Sequence, residues 1–216
     1  MSAVTPLDDP AVLGPLPDLR PDLAAIAAMV EPGARVLDIG CEDGQLLQFL
    51  VRTKGVRGRG LELSQEGVNA SVRRGLSVVQ GDADRDLVDY PDRAFDTVIL
   101  SQTLQATRWP DRVLAQLVRI GHRAVVSFPN FGYWRVRLSL LMRGRMPVTP
   151  TLPRSWYETE NIHLCTIRDF VTLAEQLGVR IERALTLDAQ HRLQPIRSLR
   201  RANLFAQTGL FVLTKG

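Results

Sequence analysis

The chain contains little cysteine, and no long apolar run occurs in its 216 residues. Cys41 and Cys165 cannot build a disulfide framework, and neither belongs to a C-x-x-C motif, so we expect a reducing compartment and no metal site. No stretch approaches the ~20 apolar residues that span a bilayer, and the N-terminus lacks a basic region followed by an apolar core. These absences predict a cytoplasmic protein with no membrane partner.

Lysine is also scarce, since Lys54 and Lys215 are the only two, and the net charge of +4 therefore depends on arginine. A nucleic-acid-binding protein usually concentrates its basic residues in one stripe with interleaved aromatic side chains. Here the arginines are spread from Arg20 to Arg201, and aromatic residues make up only 6% of the chain. The composition therefore does not favour a nucleic acid as partner.

The length and the 45% hydrophobic content fit one well-buried α/β domain and are small for two. Residues 1–19 contain four prolines and no periodicity, which predicts a flexible arm. We expect one domain over residues 20–216, with an insertion at residues 131–165 that is longer than an ordinary connection.

The most informative segment is 36–44, which reads Val-Leu-Asp-Ile-Gly-Cys-Glu-Asp-Gly. Residues 35–39 are typical of a buried parallel strand, and residues 45–52 have helical spacing. Gly40 and Gly44 bracket the tight turn between them, so that backbone can approach a ligand closely there.

The next two predicted strands cover 59–63 and 76–80, and an acidic residue lies at the end of the first and just after the second. Glu62 lies where a carboxylate can accept hydrogen bonds from a ribose diol. Asp82 is the candidate acceptor for an adenine amino group, with the Ala83 N–H as a donor, although an ordinary surface turn explains this pair equally well. A fourth strand over 95–100 would bring Ser101 to the same edge of the sheet.

The glycine spacing distinguishes between nucleotide ligands. A dinucleotide fingerprint needs G-x-G-x-x-G, whereas this chain has G-x-x-x-G with Glu42 and Asp43 inside it. Two carboxylates repel phosphate and attract a cation with an amino group, such as S-adenosylmethionine. The alternative is that the glycines serve only close packing of helix on sheet. The candidate cofactor-binding residues are Asp38, Gly40, Cys41, Gly44, Glu62, Leu63, Asp82, Ala83 and Ser101.

This segment resembles motif I of class I methyltransferases, in which Asp38 takes the place that holds the methionyl amino group. The middle glycine of that motif is Glu42 here, and its side chain either obstructs the cofactor or points to solvent. Strands over 179–187 and 203–214 should pair antiparallel, since their connection shows no crossover helix. The predicted fold is a Rossmann-like three-layer sandwich whose seven-stranded, mostly parallel sheet ends in an antiparallel strand.

The insertion begins with a predicted helix over 133–143 that carries Trp134, Leu138 and Leu141 at i, i+4 and i+7. Such a helix suits a lid or a partner surface, and the alternative is a helix packed on its own domain. The arginines of the insertion do not share one helical face.

Blocks outside motif I carry a closer resemblance: 19–23 (Leu-Arg-Pro-Asp-Leu), 127–132 (Ser-Phe-Pro-Asn-Phe-Gly), 144–147 (Gly-Arg-Met-Pro), 156–157 (Trp-Tyr) and 161–166 (Asn-Ile-His-Leu-Cys-Thr). With them the chain resembles, over nearly its whole length, the methionine biosynthesis proteins called MetW. The resemblance implies a role as accessory partner of the homoserine O-acetyltransferase of methionine synthesis, with S-adenosylmethionine or S-adenosylhomocysteine as cofactor.

The residues themselves do not predict acyl transfer by this chain. Ser127 is not in a G-x-S-x-G motif, and His122, His163 and His191 are the only histidines. The competing hypothesis is an active small-molecule methyltransferase, in which His163 is the candidate for removing an acceptor proton. A histidine there is more often structural, and a fold kept only as a scaffold is a third alternative. The sequence defines neither the oligomeric state nor a methyl acceptor.

Overall fold

The computed structural model describes residues 19–149, 152, 154–188, 190 and 192–216. The predicted arm, residues 1–19, lies outside this part except for Leu19. The strands are β1 Arg35–Ile39, β2 Arg57–Glu62, β3 Val78–Gln80, β4 Phe95–Ser101, β5 Gly121–Pro129, β6 Val179–Leu187, β7 Leu193–Pro195 and β8 Thr208–Lys215. The α-helices are α1 Pro21–Met29, α2 Gln45–Lys54, α3 Gln65–Arg73, α4 Pro110–Ile120, α5 Trp134–Arg143, α6 Ile167–Gln176 and α7 Leu199–Phe205. Short 3-10 helices cover Asp86–Asp89 and Leu104–Ala106.

The described strands form one sheet in the order β3-β2-β1-β4-β5-β8-β6-β7. Strands β1 to β5 are parallel, and β8 runs antiparallel to both β5 and β6. The mostly parallel sheet with an antiparallel C-terminal strand is therefore confirmed. Because the parallel strands all end at one edge, the residues that follow them meet there.

The prediction of seven strands was wrong, because the described residues form eight. The connection before the last strand contains the short strand β7 and the helix α7, which starts where the Ser198 side chain accepts the Arg201 N–H at 3.5 Å. Asn203, predicted to begin a strand, is buried on α7, and β8 starts only at Thr208. A helix of seven residues shows too little periodicity to stand out in the sequence.

Two apolar clusters cover the two faces of the sheet and define three layers. Helices α4 and α6 pack on one face against alternate residues such as Leu37 and Leu100. Helices α1 and α2 pack on the other face against Val36 and Ile99. The apolar stripe of α4 belongs to the core, since all four of its residues, Val113, Leu114, Leu117 and Val118, are buried.

Asn130, just after β5, fastens the start of the insertion to the domain. Its side-chain amide donates to the carbonyls of Asn203 and Ala206 at 3.0 and 2.8 Å. Its oxygen accepts the N–H groups of Gly132 and Ile167 at 3.0 and 3.3 Å. Asn130 is 2% exposed, and its side-chain amide makes four hydrogen bonds within the domain. We call it the Asn130 clamp, because its polar atoms stabilise the fold.

Within the described part of the chain, no helix has both the length and the apolar character needed to cross a membrane.

Candidate functional site

The turn between β1 and α2 depends on two left-handed glycines. Gly40 has φ 69° and Gly44 has φ 77°. A Cβ at Gly40 would lie 2.5 Å from Thr103 Oγ1, and one at Gly44 would lie 2.5 Å from the Leu76 side chain. Both the left-handed backbone and the close contact with neighbouring side chains therefore require glycine at these two positions.

Glu42 occupies the middle of this turn in the same left-handed region, with φ 51°. A side chain costs roughly 1 kcal/mol in that conformation. The backbone is held in place nevertheless, because its N–H donates to the Glu62 carboxylate at 2.9 Å and its carbonyl accepts from Ser71 Oγ at 3.1 Å. Glu42 is exposed, and it lines the cavity next to Asp38.

Glu62, at the end of β2, holds the turn in place through its carboxylate. Its second oxygen accepts the Ser64 N–H at 2.9 Å, while the first holds Glu42. The residue is 9% exposed. A carboxylate offers about four acceptor sites, and these two hydrogen bonds use two of them.

Asp38, at the end of β1, is the most perturbed carboxyl group of the site. It is 3% exposed. Burial, followed by the nearby charges of Glu42 and Glu62, raises its pKa from 3.8 to about 7. No hydrogen bond to its charged form counteracts these causes within the described residues. The ionised Asp38 is therefore destabilised until a cation approaches.

A cavity of about 140 Å³ lies next to this aspartate. Its lining residues are Arg20, Leu23, Asp38, Gly40, Cys41, Glu42, Asp43, Gln45, Leu46 and Ser101. Asp43 makes a 2.7 Å ion pair with Arg74, so the turn carries less free negative charge than its sequence indicates. Glu42, Asp38 and Glu62 retain the acidic character of the site.

Four of the predicted cofactor residues line the cavity, and Gly44 and Glu62 lie beside the turn without lining it. Asp38, Gly40, Cys41 and Ser101 line the cavity directly. Gly44 heads α2, and Glu62 lies behind the turn. The structure thus brings the turn and Glu62 together through the Glu42 N–H, and their contact with a nucleoside stays a prediction.

The residues predicted to meet a base lie further along the same edge. The Gly81 N–H donates to the Glu62 carbonyl at 3.0 Å, which brings the end of β3 beside Glu62. Asp82 accepts the Asp84 N–H at 2.9 Å, and Ala83 packs on the core. Leu63 is 66% exposed. None of these three lines the 140 Å³ cavity, so their contact with adenine stays a prediction.

A second cavity of about 410 Å³ adjoins the first, and Arg20 and Glu42 line both. Its floor includes Gln102, which has φ 54° at the end of β4, and Gln105. The Gln105 amide donates to the Gln102 carbonyl at 2.6 Å, which leaves its Oε1 buried and without a partner among the described residues. Backbone strain and unpaired buried polar atoms are found more often at functional sites than elsewhere, so this cavity is a second candidate ligand site.

His163 lies beside this second cavity without lining it. Its backbone N–H donates to the Gln105 carbonyl at 3.0 Å, and its Nε2 is buried with no described partner. Its role as a base stays a prediction. His191 lies outside the described residues.

Sequence reasoning missed Arg20 and Gln105. Arg20 precedes α1 and reaches the site only because that helix packs on α2, which no local pattern reveals. Gln105 follows β4 by a few residues, and that position alone indicates an edge location without a role. No group of three histidine, cysteine or acidic side chains suited to a metal ion occurs in the described part. Burial raises the pKa of the Cys41 thiol, which disfavours its thiolate.

The sheet order and the glycine turn define a class I methyltransferase fold. Solved S-adenosylmethionine-dependent methyltransferases share it: one from Thermotoga maritima has TM-score 0.64 and 18% identity over 90% of this chain and 87% of that chain. One from Mesorhizobium loti has TM-score 0.65 and 17% identity over 90% of this chain and 97% of that chain. At such low identity these likenesses show the fold alone.

The particular family follows from sequence. Residues 20–213 match the model of the methionine biosynthesis protein MetW, and the chain belongs to that family. A curated relative, the bifunctional methionine biosynthesis protein MetXA/MetW of Rhodopirellula baltica, is 35% identical over 82% of this chain. The chain spans only 30% of the length of that relative.

Proposed function

We propose that this chain is an accessory subunit of a homoserine O-acetyltransferase and that it binds S-adenosylmethionine or S-adenosylhomocysteine. The observation that carries the partnership is the Rhodopirellula relative, which joins MetXA and MetW in one protein. A covalent link holds two segments at high effective concentration, an arrangement suited to segments that otherwise associate as separate chains. We also propose a cytoplasmic location, because Cys41 and Cys165 are both free thiols.

The nucleoside part of the proposal is supported by the chemistry of the site. Both ligands carry an ammonium group, and a cation stabilises the ionised form of a buried carboxyl group such as Asp38. Asp38 would hold that amino group, Glu62 the ribose, and Asp82 with Ala83 the adenine. When bound, S-adenosylmethionine supplies an activated methyl group, whereas S-adenosylhomocysteine supplies none.

Titration calorimetry with each nucleoside tests this part. We expect saturable heat with at least one of them, and binding weakened by about 1.5–3 kcal/mol in Glu62→Ala through loss of charge-assisted contacts. Glu66→Ala is the matched control, because Glu66 is an exposed glutamate on the neighbouring helix α3. Absence of heat with both nucleosides at high protein concentration would reject the cofactor proposal.

Co-purification with the acetyltransferase of the same organism tests the partnership. We expect the two proteins to migrate together in size-exclusion chromatography, and acetylation of homoserine to rise when this chain is added. Separate migration together with unchanged acetylation would reject the accessory role. Nucleoside binding is a separate measurement, so either half of the proposal can fail alone.

A methyltransferase acting on a small molecule is the second candidate function. The 410 Å³ cavity beside the Asp38 site favours it, because an acceptor would have to lie next to the cofactor. Methyl transfer from a sulfonium can proceed largely through proximity and alignment, so it does not need a strong base. Formation of S-adenosylhomocysteine in a metabolite extract, abolished by Asp38→Ala and reduced by His163→Ala, would support this candidate. If the chain binds the nucleoside but transfers no methyl group, sensing of the nucleoside is the remaining role of the site.

A further inference from the structure

Helix α5 exposes most of its apolar residues, including Leu140, which is 43% exposed and lies on the same side as Val136. At roughly 100° per residue, Trp134, Leu138, Leu141 and Met142 fall within about 100° of one another around the helix axis. They are 37%, 46%, 81% and 73% exposed. Val136 is the buried residue of this helix, and it lies nearly opposite them. We call these four residues the outward stripe.

Local contacts fix the direction of this stripe. Val136 packs in a small cluster with Phe131, Tyr133, Leu152 and Met146 under the helix. The Arg137 Nε donates to the Gly132 carbonyl at 2.6 Å, next to the Asn130 clamp. An amphipathic helix normally buries its apolar stripe against the core. Here the buried side chain of the helix, Val136, is covered by this cluster, whereas the outward stripe has no cover among the described residues.

The surroundings of the stripe indicate the charge of that cover. Residues 131–149, which contain α5, have no aspartate or glutamate and four arginines: Arg135, Arg137, Arg143 and Arg145. An apolar centre with an arginine-rich rim is typical of protein interfaces. The complementary surface is an apolar groove bordered by carboxylates.

We propose that the outward stripe docks in such a groove on the acyltransferase partner, an inference that rests on the proposed function. The Rhodopirellula relative favours the acyltransferase over a second copy of this chain as the partner. In that relative the matched segment is 30% of a longer protein, whose name joins MetW to MetXA. The helix-in-groove mode explains why the anchors recur at i, i+4, i+7 and i+8. The insertion is thus a docking element beside the nucleoside site.

Interferometry with purified acetyltransferase from the same organism tests the surface. Leu141→Glu combined with Leu138→Glu places two carboxylates in the apolar centre, and we expect binding to weaken at least 30-fold. Val88→Glu is the matched control, since Val88 is 63% exposed on the 3-10 helix Asp86–Asp89. It should bind within twofold of the parent chain. Parent affinity should also fall as salt rises, because the rim is charged.

A second pair of variants separates this surface from another basic region. Arg197→Glu with Arg200→Glu reverses charge in the connection between β7 and β8 and should leave binding within about threefold. Parent-like binding by the stripe variant would overturn the surface while the partnership stands. Absence of binding by the parent chain would overturn both. A homodimer of this chain that dissociates in the stripe variant would assign the stripe to a second copy and overturn the proposal.

Discussion

Two aspartates on the neighbouring strands β1 and β4 lie at opposite ends of the sheet and in opposite electrostatic states. Asp96, near the start of β4, accepts the Arg35 N–H at 2.8 Å and its guanidinium at 2.7 Å. These bonds lower the pKa of Asp96 to about 2. Asp38, at the end of β1, is buried among like charges, and its pKa rises to about 7.

The difference separates a compensated charge that serves folding from a buried carboxyl group with no compensating cation among the described residues. The Arg35–Asp96 pair is compensated, and it joins the starts of two strands far from the carboxyl edge. Ionised Asp38 destabilises the chain that has no ligand, and a bound cation would reduce this cost. The ion pair of Asp96 therefore serves the fold, whereas the binding of a ligand by Asp38 stays a prediction.

The largest effect is expected when the charge of Asp38 is removed. Its folded-state pKa lies above 3.8, so the folded chain holds this proton more tightly and stability falls as pH rises from about 4 to about 7. At pH 8, Asp38→Asn should raise the free energy of unfolding by on the order of 3 kcal/mol. The gain should disappear near pH 4. Urea unfolding at both pH values measures this, and an equal effect at the two would contradict the assigned cause.

Glu62→Ala should destabilise the same end of the sheet. Removing the carboxylate leaves the N–H groups of Glu42 and Ser64 without their acceptor, which should lower the free energy of unfolding by about 2 kcal/mol. Glu62→Gln keeps one oxygen and should lose about half as much. If Glu62→Ala unfolds like the parent chain, the carboxylate does not organise the turn.

Removing the Arg35–Asp96 ion pair should have a smaller effect on stability, and this effect should depend on pH in the opposite direction. The depressed pKa of Asp96 contributes stability above pH 3.8, and this contribution is lost as pH falls toward about 2. Because the pair is about 40% exposed, Asp96→Asn should lower stability by only about 1 kcal/mol at pH 7. Nucleoside binding should not change, and weaker binding would show that the two ends are coupled.

Glu42→Gly should sharpen the contrast with the smallest change in stability. It relieves a side chain at φ 51° and removes one of the charges that raise the pKa of Asp38. The net gain should be about 0.5 kcal/mol, since glycine also adds freedom to the unfolded chain. Thermal unfolding measures it, and a clear loss of stability would show that the Glu42 side chain makes a favourable contact.

Features encoded by neighbouring residues were predictable from the sequence. Strand β1 and the Ser64 cap, whose oxygen accepts the Gly67 N–H at 2.9 Å, follow from local pattern, as does the capping box of Thr166 and Asp169. The pairing of Asp43 with Arg74, 31 residues away, and the approach of Arg20 depend on packing between helices. The exposure of the apolar stripe of α5 could not be predicted either. Periodicity identifies such a stripe, but it does not say whether the stripe faces the core or the solvent.

The most direct measurement is the proton balance of nucleoside binding. Calorimetry with S-adenosylhomocysteine in buffers of different ionisation enthalpy should show proton release near pH 6.5 by the parent chain, weaker affinity as pH falls below 7, and neither effect in Asp38→Asn. Binding without proton release, or the same release from Asp38→Asn, would contradict the claim that a buried, unpaired carboxylate receives the ligand's cation.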